Sequence, residues 1–577
     1  MSCLPPEVER RRRLVTRGAP LALIALIAFI AGAMAGVPPT PEKDAAKRFT
    51  EAWARQDFAA MQAELNPASA RQTSASDLAT AYLDAQRTAT LRTLDPGDPS
   101  DPSSREGTTV VSVPVTVGTI AFGTIEADLE IPFSDGGVQW EPSLVFPGLR
   151  PGDRLENRIR LAPRAPILAR RGAPMAEGPA DARTHPLGSA MIDVTGEVGE
   201  ADPSDEDALA AQGFPPGTPV GISGVEQAFN RRLAGRPGGK LLAVPSDGGE
   251  PRVLGEAKPA PGRAVRTTID PTVQNAAVAG LAGRSGGVAA LDARNGAVRA
   301  LAGQAFSAPQ PPGSTFKIIT TTSALQEGAV SLDDTFPYTN GVNVGGRFIY
   351  NANGEVCGGD FRTAFAESCN AVFVPLGPKV GNDALVGTAE RYGFNEAPTL
   401  YDEAATSAVD PPTPSIPQDV GAEVDLGVTA IGQGEVLATP LEMASVAQTV
   451  ANRGVRLPTP LVAKKELQAK AGPVRVTSKK ITDQLTELMI GVVNSGTGIA
   501  GAIPEGQVAG KTGTAELGPV PGQENLPNPE QIVDAWFAAF APASKPKLAV
   551  AVMLIDAGAA GGEVAAPIAA QVLSAGL

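Results

Sequence analysis

Histidine is almost absent from this 577-residue chain, which has one, and cysteine is scarce, with three. A single histidine excludes HExxH and multi-histidine metal sites and leaves only His185 for any Ser-His-Asp triad. His185 lies in Thr184-His185-Pro186-Leu187-Gly188, a turn composition, so an enzyme here must take its base from another residue type. Three cysteines are too few for a disulfide scaffold or a four-thiolate zinc site. Cys3 precedes the apolar N-terminal run and is expected on a reducing side. Cys357 and Cys369 would face an oxidising side, where they either pair or stay as two buried thiols. Net positive charge is also missing. A formal charge of −14 argues against nucleic acid as the main partner, because no positive field exists to release counterions. No metal or organic cofactor is indicated.

Long apolar runs are nearly absent too, with one exception. Arg10, Arg11, Arg12, Arg13 and Arg17 precede an uncharged stretch over 18–40, whose strongly apolar part is Ala19 to Val37. That length approaches the roughly 20 residues a spanning helix needs. The arginines place the N-terminus inside and the remaining chain outside. Small-x-small sites at Ala31-Gly32-Ala33 and Ala33-Met34-Ala35 offer a cleaved signal as the rival, but the run exceeds the usual apolar length of a signal peptide. Leu548 to Ile555 is too short to span and fits a buried strand.

What is present is an ordinary globular composition, 43% hydrophobic, with 64 glycines and 53 prolines that imply many loops. Phe49, Trp53, Phe58, Met61 and Leu65 recur at near-helical spacing. Thr108 to Val117, Thr119 to Phe133 and Val138 to Phe146 read as strands with glycine turns between them. This helix-then-sheet unit carries no cluster of titratable groups, so it reads as a spacer or docking module. Further on, Ser223 and Glu226 form a capping-box pattern at the start of a short helix, with Val225, Phe229 and Leu233 on one face and Gly235 as its stop.

Chemistry concentrates in three short boxes. Pro311-Pro312-Gly313 blocks any helix upstream, and Ser314-Thr315-Phe316-Lys317 starts one. Residues three apart share a helical face, so Ser314 and Lys317 point the same way, with Ser314 at the positive end. That end stabilises negative charge on the serine oxygen and disfavours the ammonium form of a buried lysine, and a neutral lysine can take the serine proton. The same spacing at Ser544-Lys545-Pro546-Lys547 reads as a hairpin turn. Ser368-Cys369-Asn370 is the only Ser-x-Asn in the chain, and Lys511-Thr512-Gly513-Thr514 holds the only Lys-Thr-Gly. Ser368 can bond a leaving group or pass its proton along. Asn370 can hold Lys317 and a substrate amide. Lys511 adds a second charge that depresses Lys317 and draws a substrate carboxylate, which Thr512 and Thr514 can bond. Gly513 keeps the strand flat for substrate backbone to lie beside it.

The trio in this order resembles the signature of penicillin-binding proteins and class A β-lactamases. Ile431-Gly432-Gln433-Gly434, Thr439-Pro440-Leu441-Glu442 and Ala451-Asn452-Arg453-Gly454 resemble the stretch that penicillin-binding transpeptidases carry between their second and third boxes. As structure, Thr439, Pro440 and Glu442 read as a capped helix start with a second capping box. Trp140-Glu141-Pro142-Ser143, Phe146-Pro147-Gly148-Leu149 and Gly152-Asp153 resemble the end of the cone-shaped N-terminal domain of methicillin-resistance-type members, similar to the nuclear-transport-factor-2 fold. Arg164 to Ala169 and Arg171-Gly172 resemble the segment that links such domains to the catalytic one.

The resemblance implies an α+β multidomain chain: a cytoplasmic tail over 1–18, a transmembrane anchor over 19–37, a nuclear-transport-factor-2-like domain over 41–147, a linker or pedestal (dimerisation-like) domain over 148–270 and a transpeptidase domain over 271–577. That last domain is expected as an antiparallel sheet flanked by helices, with hairpins over Gly286 to Gly303 and Asp534 to Ile555. The backbone N–H groups of Ser314 and Thr514 would form its oxyanion hole. The implied activity is a D,D-transpeptidase of peptidoglycan that β-lactams acylate at Ser314. A D,D-carboxypeptidase, a β-lactamase using Glu403 or Glu423 to activate water, and an idle division or elongation scaffold are the rivals. About 230 residues between anchor and catalytic domain match non-catalytic modules only, so class B fits, and a separate glycan polymerase is the implied partner.

Overall fold

The computed structural model describes residues 40–105, 107–402, 411–519 and 531–577. Cys3, the expected tail and anchor, and Glu403 lie outside them. No helix among the described residues is long and apolar enough to cross a membrane. The chain forms two compact units, each discontinuous in sequence. One takes residues up to Arg160 with Asp207–Phe214 and Pro237–Pro259; the other takes Leu161–Glu206, Pro215–Arg236 and Ala260–Leu577.

In the first unit, helices Pro41–Ala54, Phe58–Ala63, Pro67–Gln72 and Ala75–Thr88 lead into an antiparallel sheet whose long strands are Thr108–Thr119 and Thr124–Ser134. The near-helical apolar spacing is split between two helices. Gln56 adopts φ +57°, and the Asp57 side chain caps the second helix by accepting from the Ala60 N–H. Phe49, Trp53, Met61 and Tyr82 bury against Val111, Val113, Val115 and Val117, the inward face of a strand with period two. The strand expected over 138–146 is not formed. Pairing ends at Val138, and Pro142–Val145 is a 3₁₀ helix, because Pro142 has no N–H for a ladder and its fixed φ suits a first helical position. A second sheet of Asp153–Arg160, Gly238–Pro245 and Arg252–Ala257 has no counterpart in the sequence reading.

The second unit begins with a charged core. Glu226 does not complete a capping box. Its carboxylate is buried and accepts from Arg164 Nε at 2.7 Å and Arg183 Nε at 2.8 Å, while Ser223 Oγ accepts from the Glu197 N–H. Two buried guanidiniums outcompete a cap worth about 1 kcal/mol. Val225, Phe229 and Leu233 all bury as their spacing requires. His185 Nε2 sits 3.2 Å from Thr195 Oγ1.

The part of the second unit that holds the three boxes contains α1 (Pro271–Leu281), β1 (Gly286–Asp292), β2 (Val298–Gly303), α2 (Lys317–Gln326), β3 (Gly341–Val344), β4 (Arg347–Tyr350), β5 (Cys357–Asp360), α3 (Pro440–Ala451), α4 (Lys479–Asn494), β6 (Ala509–Pro519), β7 (Gln531–Ala541), β8 (Leu548–Leu554) and α5 (Ala566–Gly576). The main sheet runs β2-β1-β8-β7-β6, antiparallel throughout. Its central strand β8 is apolar at every position because both faces are covered. Phe537, Val550 and Val552 meet α1 and α5 on one face, while Trp536, Ala538 and Met553 join the core of α2 and α3 on the other. Ser544 to Lys547 lie in the turn between β7 and β8. Thr439 caps α3 by accepting from the Glu442 N–H at 3.2 Å, but the reciprocal half of that capping box is missing. The Glu442 carboxyl is instead buried, and burial pushes its pKa up to about 8 against the pull of Arg456.

Removing Glu226 strands two buried cations. Glu226→Ala is expected to destabilise the protein by about 3 kcal/mol, more than a surface salt bridge could account for, as read from urea denaturation.

Candidate active site

Ser314 lies in a 3₁₀ turn, Gly313–Phe316, that runs directly into α2. Gly313 has φ +51°, and its N–H donates to the Gly432 carbonyl at 2.9 Å. Gly432 is itself at φ +76°, and any Cβ there would collide with the Gly313 carbonyl. The Ile431-Gly432-Gln433-Gly434 stretch therefore fixes the entry to the serine turn. Ser314 is partly exposed, whereas α2 beyond it is buried from Lys317 to Ala324, on all sides rather than along one stripe.

Ser368 reaches the site through the end of helix Phe361–Ala366. The Ser368 N–H donates to Phe365 O and the Cys369 N–H to Ala364 O, the bond pair of a Schellman ending, with Ser368 in the left-handed position at φ +60°. Glycine is usual there. The reversal presents both the carbonyl and the hydroxyl of Ser368 to the lysines. Lys317 Nζ lies 2.8 Å from Ser368 O, 2.8 Å from Asn370 Oδ1 and 3.3 Å from Ser368 Oγ. Lys511 Nζ donates to Ser368 Oγ at 2.8 Å and to Thr512 O at 3.0 Å. Each amine also faces a ring, Lys317 over Phe373 at 5.2 Å and Lys511 over Phe365 at 5.7 Å.

Both lysines are fully buried. Burial lowers the Lys317 pKa well below the ordinary lysine value, and the charge of Lys511 lowers it further. The sequence reading named the helix end and the Lys511 charge, and of these the Lys511 charge stands second to burial. Burial alone brings Lys511 down to about 7. A neutral amine has two N–H donors and one lone pair. In Lys317 the two short contacts to carbonyl oxygens use both donors, which leaves the lone pair to accept a hydroxyl proton. No bond from Lys317 to the Ser314 hydroxyl is present. The amine is held instead by the Ser368-Cys369-Asn370 segment.

Asn370 has a second partner that its sequence did not disclose. Its amide donates to the Tyr350 carbonyl on β4 at 3.0 Å, and Asn351 accepts from the Ala371 N–H at 2.8 Å. The small hairpin β3–β4 thus orients the segment from outside. Cys369, between Ser368 and Asn370, forms a disulfide with Cys357 on β5, with Cα atoms 5.9 Å apart. Cys357, Glu367 and Cys369 have ligand atoms within 4.8 Å of one another, but sulfurs joined to each other offer no thiolate to a metal. Glu423 is exposed at the start of its helix, beside Gly345 of the hairpin turn.

On β6, Gly513 is required by packing. A Cβ there would meet Pro312 O, Thr315 and Trp536, so the strand could not approach the serine turn. Thr514 Oγ1 accepts from the Gly561 N–H at 3.5 Å. Thr512 Oγ1 shares a 2.6 Å hydrogen bond with Thr497 Oγ1, and Thr497 is anchored through its N–H to Ala366 O. Thr497 was not found by sequence reasoning; Ser495-Gly496-Thr497-Gly498 directly after α4 is the signal that would have found it.

Comparison with known proteins gives three family matches in chain order. They are the NTF2-like N-terminal transpeptidase domain over 40–153, the penicillin-binding protein dimerisation domain over 178–267 and the penicillin binding protein transpeptidase domain over 286–574. The peptidoglycan D,D-transpeptidase PbpA of Mycobacterium tuberculosis is 37% identical over 299 residues, 48% of this chain and 57% of that protein, so the match spans little more than half of the relative. The peptidoglycan D,D-transpeptidase MrdA of Acinetobacter baumannii is 26% identical over 425 residues, 64% of this chain and 62% of that one. Among solved structures, the D,D-transpeptidase domain of a peptidoglycan glycosyltransferase from Eggerthella lenta superposes with a TM-score of 0.56 at 27% identity, covering 72% of this chain and 98% of that one. The penicillin G acyl-enzyme of M. tuberculosis penicillin-binding protein A gives a TM-score of 0.53 at 27% identity, covering 72% and 99%. With its serine turn, its lysine pair and the third of these matches across half its length, the chain belongs to the penicillin-binding protein transpeptidase family.

Proposed function

We propose that this chain is a D,D-transpeptidase that cross-links peptidoglycan stem peptides through an acyl-enzyme on Ser314, and that β-lactams acylate the same serine. The observation that carries the reading is the convergence of two buried lysines on one hydroxyl, Ser368 Oγ. Lys317, kept neutral by burial, takes the Ser314 proton as Oγ bonds to the carbonyl carbon of the penultimate D-Ala. The oxyanion collects the N–H groups of Ser314 and Thr514. The C–N bond then breaks, and the terminal D-Ala leaves as an amine with the proton that Lys317 returns through Ser368. An amine of a second stem attacks the ester, and Ser314 recovers its proton. Asn370 holds Lys317 in line, and Lys511, with Thr512 and Thr514, binds the substrate's terminal carboxylate. Gly513 lets β6 lie against the turn. No cofactor is needed for this route.

The same reading takes 19–37 as a single-pass anchor in the cytoplasmic membrane, with the catalytic part outside. It takes 41–147 as a spacer, 148–270 as a pedestal and 271–577 as the enzyme. A separate glycan polymerase and division or elongation proteins would be the partners, and no nucleic acid is involved. Glu423, bonded to none of the box residues, gives no support to a water-activating role.

Intact-mass measurement after incubation with benzylpenicillin should find one penicilloyl adduct, absent from Ser314→Ala. An adduct that survives that substitution removes Ser314 from its role. Lys317→Met is expected to slow acylation by about 10²–10⁴-fold. The pH dependence follows from the two lysines. The rate should rise as pH climbs through the lowered Lys317 pKa and fall as Lys511 loses its proton near 7. Lys511→Arg keeps its charge and should carry the alkaline limb out of range, and a limb that stays put would assign it to another group.

A further inference from the structure

Strand β6 ends the main sheet, so one row of its backbone groups has no strand partner. An extended peptide can add to such an edge by main-chain hydrogen bonds. Which residues face that edge follows from Gln433. Its side-chain amide, oriented to satisfy both of its ends, donates to Glu516 O at 3.3 Å and accepts from the Glu516 N–H at 3.1 Å. The Glu516 backbone therefore points away from β7. Antiparallel pairs alternate, so Thr514 and Thr512 also face the open edge, and Ala515 and Gly513 face β7. At one end, the Thr512 carbonyl is occupied by Lys511 Nζ at 3.0 Å. At the other, Gln433 occupies both groups of Glu516, and the ladder bulges immediately beyond, between Glu516 and Gly518. Between them lies Thr514, next to the serine turn.

We infer that Gln433 is a ladder stop: it imitates a neighbouring strand at Glu516, so that an acyl-donor peptide can pair with β6 at Thr514 alone and must leave the sheet one residue further on. The inference rests on the transpeptidase reading. Lys511 and Thr512 draw the donor's carboxylate to one end of this window, so the donor runs antiparallel to β6 with its amino-terminal part toward Glu516. The side chain is rigidly presented. Gly432 and Gly434 flank it at φ +76° and +75°, and the Gln433 N–H donates to Val428 O at 3.2 Å. Recognition of residues upstream of the reacting D-Ala pair then falls to side-chain contacts rather than to the strand edge, and Gln433 sets donor length as a specificity residue.

The test compares two acetylated peptides ending in D-Ala-D-Ala, one with a single residue upstream and one with three. Each is assayed for the concentration that halves the labelling rate by fluorescent penicillin. In the parent, the ratio of the two concentrations should stay within about twofold. In Gln433→Ala, the longer peptide should gain about tenfold over the shorter, the size of one added backbone hydrogen-bond pair. Gln433→Asn, whose shorter amide cannot span both groups, should do the same, and it answers the question if the alanine variant does not fold. A ratio that stays within twofold in a variant with the parent's melting temperature overturns the ladder stop and leaves the transpeptidase reading standing. Failure of the parent to form a penicillin adduct at Ser314 overturns both.

Discussion

One hydroxyl, Ser368 Oγ, lies between two buried amines, and the meeting of the three sequence boxes depends on that arrangement. Two cations this close in a dry interior cannot both keep ordinary lysine chemistry. Desolvation acts on each, and their mutual repulsion adds to the effect on Lys317. Serine suits the position between them because its one oxygen, which can both accept and donate, lies within reach of both amines. On the transpeptidase reading the site needs no histidine, because burial lowers the Lys317 pKa and frees a lysine to act as the base that a triad would otherwise supply. The elements around it serve that burial: the fully enclosed α2, the rings of Phe365 and Phe373, and a sheet covered on both faces.

Much of this was readable from sequence, for identifiable reasons. Ser314 and Lys317 are local to each other, and the short turn that leads into α2 was legible from the Pro-Pro-Gly before it. Apolar runs such as Leu548 to Leu554 could only be strands buried on both sides. The capping of α3 by Thr439 was equally local. Membership of a family was legible from the three boxes taken together, since each alone is a short and common pattern.

What escaped was set by partners distant in the chain. Glu226 has the spacing of a capping residue, yet its carboxylate lies between two arginines that sequence proximity could not nominate. Glu442 likewise abandons its own helix start for a buried position near Arg456. Val138 to Phe146 has strand-forming composition, but pairing stops at Val138 and Pro142 opens a 3₁₀ helix. Asn370 reads as a ligand for Lys317 and proves also to be tied to Tyr350 by a hairpin with no signature of its own. Thr497 and Gln433 gain their significance only from the strand they touch, β6, which neither belongs to.

The left-handed backbone of Ser368 carries one last implication. At the ending of a helix, that conformation favours glycine over any residue with a side chain. Replacing Ser368 with glycine would relieve local strain and remove the only hydroxyl common to both amines. On the transpeptidase reading, variant libraries screened for heat tolerance alone would therefore drift toward inert molecules at this position, where the backbone accepts strain to hold a hydroxyl between two amines.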